Sequence, residues 1–459
     1  MRHHPSVTTP PTSDTDAPAG AAPAVDAARC PVCDSALTSD PRFVSWCTAC
    51  RWNAVPTATD GAPTAAPEKG FPRRLNRALE EQLFQEVISG TAVRSSRDGT
   101  WLAAMALAGL VHLFTLALLL GGGWMLFQDG WPLQLLGVFL IVVTVTLLRP
   151  RLGSLRAARK HGFPLSREDA PELYALADRA ADALRTRRVD LIRVDLDFNA
   201  SYQQVGLRRR ALLTLGLPLW ESLQPGERVA LLGHEFGHGA NGDARRGLWL
   251  GTALCSLAEL YQATAPQRLT AAGRANRLAS LLTWVLMSVA NTVVEWLYHL
   301  LNWLTRHSHQ RAEYLADAFA LQLGGTAGAT GVLEALTLSG AYEHQLVRWR
   351  TQVRQARQRR GPSSSRLLHQ PFAPVGDDFW GELRSYVASI PQVERDRRMI
   401  SSQLLDQTAD SSHPPTHLRL AFVRHQPVVE PSVTLTAEQI AAIDRELGPA
   451  RASEVEKLD

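Results

Sequence analysis

The sequence predicts a mostly helical α+β protein with a small sheet, a transmembrane helical hairpin and an N-terminal cysteine module. Three observations lead to this prediction. Residues 101–127 and 131–148 carry no charge, and each run is long enough to cross a hydrocarbon core of about 30 Å. Residues 189–195 and 211–217 resemble short strands among longer segments with helical periodicity. Four of the five cysteines lie in two close pairs within residues 30–50.

Composition limits the classes of function. The 459 residues leave room for two or three domains, one of them with a sizeable core. The net charge of +4 is modest and gives no reason to expect a nucleic-acid partner. Residues 1–28 are polar, so we expect a disordered tail and no cleavable signal peptide there.

The cysteine module has the spacing C-x2-C-x13-C-x2-C, formed by Cys30, Cys33, Cys47 and Cys50. Each close pair offers two thiolates, and four thiolates complete a tetrahedral structural zinc site. Disulfides are the alternative, but such closely spaced cysteines bridge poorly, and the pattern is typical of a reducing compartment. The sequence therefore predicts a zinc ribbon over residues 29–53, whose partner is unknown.

A membrane anchor is predicted after the ribbon. A linker at residues 54–72 leads into a basic amphipathic segment at 73–100, which could lie on a membrane surface or pack on the following domain. The apolar hairpin occupies residues 101–149. Arginines flank the hairpin on both outer sides, so the positive-inside rule places both of its ends in the cytoplasm. We expect a multi-pass protein of the cell membrane, in contact with the lipid bilayer, with a cytoplasmic N-terminus and a cytoplasmic domain after the hairpin.

Residues 231–240 contain the pattern H-E-x-x-H at His234, Glu235 and His238. On a helix, residues four apart share a face, so both imidazoles can bind one metal ion. Glu235 projects beside the same face and can accept a proton from the attacking water without binding the metal. An ordinary core helix with two hydrogen-bonded histidines is the alternative.

Two acidic residues further along the chain fit the same site. A catalytic zinc keeps three protein ligands and an open position. Glu313 is the candidate third ligand, and Asp317 lies four residues later on the same helical side. Asp317 can accept a hydrogen bond from a ligand histidine and so orient that ring.

Two further motifs complete an ordered set: Asn241-Gly242-Asp243 follows the first histidine pair, and His413-Pro414-Pro415-Thr416 follows Glu313. Over about residues 164–423, this set resembles the integral-membrane zinc metallopeptidases that include the heat-shock protease HtpX and the CAAX prenyl endopeptidases. The resemblance implies a gluzincin-like metallopeptidase domain, at residues 150–430, that binds one catalytic zinc in addition to the structural zinc of the ribbon.

The resemblance also implies an activity. The expected function is zinc-dependent endopeptidase cleavage of protein or peptide substrates, HtpX-like and directed to membrane-protein quality control. Removal of a prenylated protein tail is a second possibility within the family. A rival from another class is an inactive membrane-tethered adaptor that binds a partner through its ribbon. The intact Glu235 and metal ligands argue against the adaptor, because an inactive site has no need of a base.

Other site residues follow from the resemblance. Asn199 and Ala200 match the family's segment on an edge strand beside the metal, where a substrate peptide can pair by backbone hydrogen bonds. His413 or Arg419 is expected to approach the site and stabilise the developing oxyanion, and His413 is the better match. An equally good interpretation places Arg419 in a structural salt bridge.

Two apolar runs, residues 247–265 and 279–304, separate the halves of the site. If Glu313 and His234 share one metal, the chain between them crosses the membrane twice or not at all. The cost of placing Glu259 and Glu295 in a bilayer favours no crossing by a small margin. Residues 431–459 are predicted to form a C-terminal helix or tail.

Overall fold

The computed structural model describes residues 28–37, 40–55, 71–90, 99–148, 153–206, 208–241, 243–265, 274–360, 378–405 and 414–458. The chain divides into two compact units, Met1–Ala62 and Pro63–Asp459. The first contains the cysteine module and the second contains the helices and the sheet.

The first unit is built from two cysteine-containing turns. An antiparallel bridge joins Arg29 to Ala36, and Trp46 is almost completely buried. Asp34 and Arg51, one after each close cysteine pair, have positive φ angles of 59° and 61°. These left-handed residues turn the backbone sharply, so each turn directs its two thiols to the same point.

The second unit is mostly helical. Its helices within the described residues are α1 (Phe71–Ile88), α2 (Gly99–Met125), α3 (Trp131–Leu148), α4 (Leu155–Ala158), α5 (Pro171–Ala183), α6 (Leu217–Ser222), α7 (Pro225–Ala240), α8 (Asp243–Ala263), α9 (Arg274–Leu336), α10 (Ser339–Arg360), α11 (Phe379–Ala388), α12 (Gln392–Leu405), α13 (Thr416–His425), α14 (Ala437–Glu446) and α15 (Gly448–Glu456). Helix α9 is interrupted at Gly325, whose φ of 72° is not helical.

A four-stranded sheet lies beside these helices. Its strands are β1 (Phe163–Leu165), β2 (Leu191–Asp195), β3 (Ala200–Val205) and β4 (Arg210–Gly216), in the order β1-β2-β4-β3. Strands β2 and β4 run parallel, and the two other pairs are antiparallel. Strand β3 is therefore an edge strand. The predicted fold class, mostly helical α+β with a small sheet, is confirmed.

The apolar helices pack together. Helices α2 and α3 form the predicted hairpin, and Gly122 and Gly137 allow their backbones to approach closely. Buried residues of α2, α8 and α9 form one apolar cluster: Ala104, Ala108, Val111, Leu250, Ala253, Leu257, Leu301 and Leu304. Among the described residues, Gly99–Met125 and the part of α9 over Ser280–Leu336 are long and apolar enough to cross a membrane, and a shorter apolar helix covers Trp131–Thr146.

Two polar contacts at different positions along α8 join it to α2 and to α9. Nε2 of His112 in α2 donates to the carbonyl oxygen of Trp249, at 3.1 Å. Asn291 in α9 donates to the carbonyl oxygen of Tyr261, at 2.7 Å. Trp249 and Tyr261 are 12 residues apart, or about 18 Å along a helix axis. Together with the apolar cluster, these contacts show that α8 and α9 run side by side over this length, and that α2 packs against them near Trp249.

Helix α1 packs on the part of α9 that carries Glu313. Its apolar side chains Leu83, Phe84 and Val87 are buried. Arg311 of α9 forms an ion pair with Glu86 of α1 at 3.2 Å. Of the two possibilities for this amphipathic segment, the structure shows packing on the following domain.

The C-terminal residues belong to the same unit. The carboxylate of Glu446, at the end of α14, accepts hydrogen bonds from the backbone N–H groups of Glu172 and Leu173 at 2.8 and 2.9 Å. These are N-terminal amides of α5, which have no partner within their own helix. Helix α14 therefore caps α5.

Candidate metal centre

Helix α7 presents two imidazoles on one face. The helix starts with Pro225 and a capping box in which Gln224 and Glu227 exchange side-chain-to-backbone hydrogen bonds. His234 and His238 follow one turn apart, and their ring centroids are 5.0 Å apart. The regular helix therefore fixes the separation of the two rings.

Helix α9 supplies a carboxylate between these rings. Glu313 Oε2 lies 3.5 Å from Nε2 of His234, and Glu313 Oε1 lies 3.5 Å from Nε2 of His238. The three ligand atoms all lie within 4.8 Å of one another. Tetrahedral zinc with bonds of about 2.0–2.1 Å separates its ligands by about 3.3–3.4 Å. The donor set and its spacing fit a zinc ion.

Glycines allow α7 and α9 to approach this closely. A Cβ atom on Gly233 would lie 2.8 Å from the carbonyl oxygen of Phe319, and one on Gly237 would lie 3.1 Å from Cα of Ala316. On the other helix, a Cβ on Gly324 would lie 2.7 Å from Cα of Ala230. Larger residues at these positions would separate the helices, and with them the ligands.

Asp317 and Arg419 lie behind His234. Asp317 Oδ1 is 3.0 Å from Nδ1 of His234, which leaves Nε2 directed at Glu313. Arg419 donates two hydrogen bonds to Asp317, at 2.8 and 2.7 Å. Arg419 and Asp317 are both buried, at 3% and 2% exposure. This pair fixes the orientation of the ring, as carboxylates do behind metal-binding histidines.

The electrostatics of the pocket favour a positive charge at His234. Burial opposes protonation of the ring, but hydrogen bonds to Asp317 and Glu313 outweigh it and raise the pKa of His234 to about 10. The negative charge responsible for this shift is also what attracts a metal cation. The pocket therefore meets the charge requirement of a metal site as well as the geometric one.

Glu235 is positioned by the edge strand. The backbone N–H of Tyr202 in β3 donates to Glu235 Oε2 at 3.2 Å. The Tyr202 ring packs on Phe236, with centroids 5.0 Å apart. Because alternate residues of an antiparallel strand direct their backbone groups to the same side, Ala200 and Tyr202 share the edge that faces the site.

A cavity of about 40 Å³ adjoins these residues. Asn199, His234, Glu235, Asp317 and Arg419 line its polar side, and apolar residues of α6, α7 and α9 complete it. Of the predicted substrate-contacting residues, Asn199 thus lies beside Glu235. Arg419 also reaches the cavity, but its guanidinium is in the salt bridge that the sequence offered as its alternative role. His413 lies outside the described residues.

Sequence reasoning missed three residues that contribute to the site. Tyr202 acts through its backbone N–H, which any residue except proline supplies, so the sequence carries no signal for it. Gly233 and Gly237 did carry a signal, because small residues four apart on a helix mark a close helix–helix contact.

The cysteine cluster of the first unit fits a second metal. Cys30 Sγ lies 3.6 Å from Cys50 Sγ, and Cys33 Sγ lies 3.5 Å from Cys47 Sγ. All four sulfurs lie within 4.8 Å of one another, and none forms a disulfide. Tetrahedral zinc with Zn–S bonds of about 2.3 Å separates its sulfurs by about 3.8 Å. The cluster fits a zinc ribbon.

Together, the H-E-x-x-H helix, the third carboxylate and the neighbouring edge strand define a metallopeptidase. The sequence profile of peptidase family M48 matches residues 172–426. The chain therefore belongs to this family, which contains HtpX and the CAAX protease, and the resemblance seen in the sequence is confirmed. M48 metallopeptidases use zinc. No curated protein and no solved structure matches the chain.

The close approach of α7 and α9 can be tested with one methyl group. Gly233→Ala should destabilise the protein by about 1–3 kcal/mol and lower its metal content, because the new Cβ meets backbone atoms that cannot move independently. Gly226→Ala is the matched control in the same helix, since a Cβ there meets nothing within 4 Å. Thermal unfolding in detergent and metal analysis measure both effects. Equal stability and metal content in the two variants would contradict the account.

The cysteine cluster predicts a second, independent zinc. Cys30→Ser removes one of four thiolates, so it should release the ribbon zinc and unfold residues 29–53. Metal analysis of the pure protein should show a fall from two zinc ions per chain to one, while peptidase activity persists. Cys255→Ser, outside the cluster, serves as the control. A single zinc ion in the unmodified chain would show that the ribbon assignment is wrong.

Proposed function

We propose that this protein is a membrane-anchored zinc endopeptidase that cleaves protein substrates at the cytoplasmic surface. One observation carries the proposal: two imidazole nitrogens and one carboxylate converge on a single point beside Glu235. Membership of family M48 gives the reaction class, and the donor set supports zinc as the metal.

The residues of this chain divide the chemistry among them. His234, His238 and Glu313 would hold the zinc, which when bound polarises the scissile carbonyl and acidifies water. Glu235 accepts the proton of the attacking water and returns it to the leaving amine. The Tyr202 N–H holds the Glu235 carboxylate in place. Asp317 and Arg419 keep the His234 ring in the orientation that directs Nε2 at the site.

An extended peptide fits the edge of β3. Strand β3 is the last strand of the described sheet, and on its outer edge the Tyr202 N–H donates to Glu235. The carbonyl oxygens on that edge can accept hydrogen bonds from a substrate strand. A substrate strand added there would place its peptide bond next to the base and the metal ligands. This arrangement favours cleavage within a chain that can adopt an extended conformation. It supports an HtpX-like role in the removal of misfolded membrane proteins.

We also propose that α8 and α9 cross the membrane together with the hairpin. Their side-by-side packing with α2 supports two crossings rather than none, because helices in lateral contact along their length share one depth. The polar contacts of His112 and Asn291 reduce the cost of polar groups within the bundle. Two crossings return the chain to the side on which it started, as the metal site requires.

Cysteine reporters test this topology. We expect a cysteine at Asp129, in the α2–α3 turn, and one at Ala265, after α8, to react with an impermeant thiol reagent in intact cells. A cysteine at His309 should react only after lysis. The chain without an added cysteine gives the background. Protection of position 265 while position 129 reacts would mean that α8 and α9 do not cross.

Removal of the proposed base separates metal binding from catalysis. Glu235→Gln should retain zinc and lose roughly 10²–10⁴-fold in the rate of casein cleavage, because only the proton acceptor is lost. Glu168→Gln, at an exposed position, controls for the change of charge. Zinc content and initial rates are measured on the pure variants. Undiminished cleavage by the Glu235 variant would exclude the proposed mechanism.

A further inference from the structure

A row of polar side chains runs along α9 from the apolar bundle towards the metal site. It consists of Glu295, His299, Asn302 and Arg306, and we call it the polar stripe. Glu295 precedes Glu313 by 18 residues. Since an α-helix has 3.6 residues per turn, this spacing is five whole turns, so the two carboxylates share one helical face about 27 Å apart. The only non-helical residue within α9, Gly325, lies beyond Glu313.

The same spacing relates His299 to Asp317, so the pair Glu295–His299 repeats the pair Glu313–Asp317 five turns away. Asn302 and Arg306 fall on this face between the two pairs. The polar stripe is therefore continuous with the face that carries the metal ligand.

The polar stripe lies at a border of the bundle. On one side, Tyr298 and Leu301 belong to the cluster shared with α2 and α8. On the other side, Trp296 and Trp303 are exposed, at 63% and 42%. The side chains of Glu295 and His299 are 46% and 68% exposed, and their closest approach is 3.9 Å.

Such groups are rarely left facing lipid. Ionisable side chains within a membrane normally face protein or water, because exposure to hydrocarbon costs several kcal/mol. Glu295 and His299 pair with each other, and a ligand that brings polar groups to this face would replace lipid there. The stripe contains a carboxylate, an imidazole, an amide and a guanidinium, which together supply hydrogen-bond donors and acceptors.

We propose that the polar stripe binds the unwound membrane segment of a protein substrate and leads it to the metal site. This inference rests on the proposed peptidase function and on the crossing of the membrane by α9. The edge of β3 accepts an extended peptide, so a helical membrane segment must unwind before cleavage. Unwinding exposes backbone N–H and C=O groups, which find no partner in lipid. A stripe with both donors and acceptors compensates for these lost bonds along the path.

The composition of the stripe favours this occupant. A lipid headgroup or a phosphate would call for a cluster of basic residues, whereas the stripe has one acidic residue and one arginine among its four members. A second copy of the chain would explain exposed polar groups, but not their continuity with the face of Glu313. Backbone amides offer the alternating donors and acceptors that a mixed stripe matches.

Photocrosslinking tests the contact without the need for turnover. A photoreactive amino acid is placed at Asn302, in the stripe, or at Val293, on the opposite helical face. Both variants carry Glu235→Gln and are reconstituted in vesicles with a labelled single-span protein that has a cleavable juxtamembrane sequence. We expect crosslinks to the single-span protein from position 302 and not from position 293. Equal crosslinking from the two positions, or crosslinks from position 302 only to a second copy of the enzyme, would overturn the proposal.

Cleavage kinetics test the role. The double variant Glu295→Leu/His299→Leu should lower the ratio of kcat/KM for the single-span protein to kcat/KM for casein by about tenfold, the effect of losing about one net hydrogen bond. Glu295→Gln/His299→Gln, which keeps donors and acceptors, should restore the ratio, and Val289→Leu/Val293→Leu should leave it unchanged. An unchanged ratio in the leucine variant would overturn the proposal. Absence of casein cleavage by the unmodified enzyme would instead refute the peptidase function. The crosslinking experiment would still test the contact, because it does not depend on cleavage.

Discussion

The contact between α7 and α9 is the interaction on which the rest of the site depends. His234 and His238 belong to one helix and Glu313 to the other, so the donors converge only if the two backbones come close. Gly233 and Gly237 make this approach possible because they place no side chain between the helices. Once the helices touch, Asp317 reaches Nδ1 of His234, and Arg419 from α13 neutralises the buried carboxylate. One contact thus assembles both the candidate metal ligands and the groups that orient them.

The apolar helices α2, α8 and α9 affect the same contact. Helix α8 follows α7 in the chain, and the next helix, α9, packs against α7. The apolar helices therefore connect the two halves of the site. Packing of α8 and α9 against α2 restricts the angle between α9 and α7. Helix α1 adds a second constraint through the pairs Glu86–Arg311 and Glu80–Gln310, next to Glu313. In this way the apolar helices and α1 support the geometry of the candidate metal site.

The parts of the site that the sequence predicted are those with a local or family signature. The H-E-x-x-H spacing is local, and a helix converts it directly into two adjacent imidazoles. The pairing of Glu313 with these residues came from the ordered family motifs, since spacing alone does not join distant segments. The role of Tyr202 could not be predicted, because a backbone N–H has no signature. The preference for no crossing by α8 and α9 rested on the cost of Glu259 and Glu295 in a bilayer, and it stays a prediction. The sequence could not show that these two helices pack against α2, because the contact joins distant segments.

X-ray absorption at the zinc edge tests the convergence of α7 and α9 most directly. The protein to measure is the full chain in which Cys30, Cys33, Cys47 and Cys50 are replaced by serine, so that only the proposed catalytic ion contributes. The account predicts one zinc per chain, bound to imidazole nitrogen and carboxylate oxygen at about 2.0–2.2 Å with no sulfur ligand. Absence of bound zinc, or a shell without two imidazoles, would contradict it.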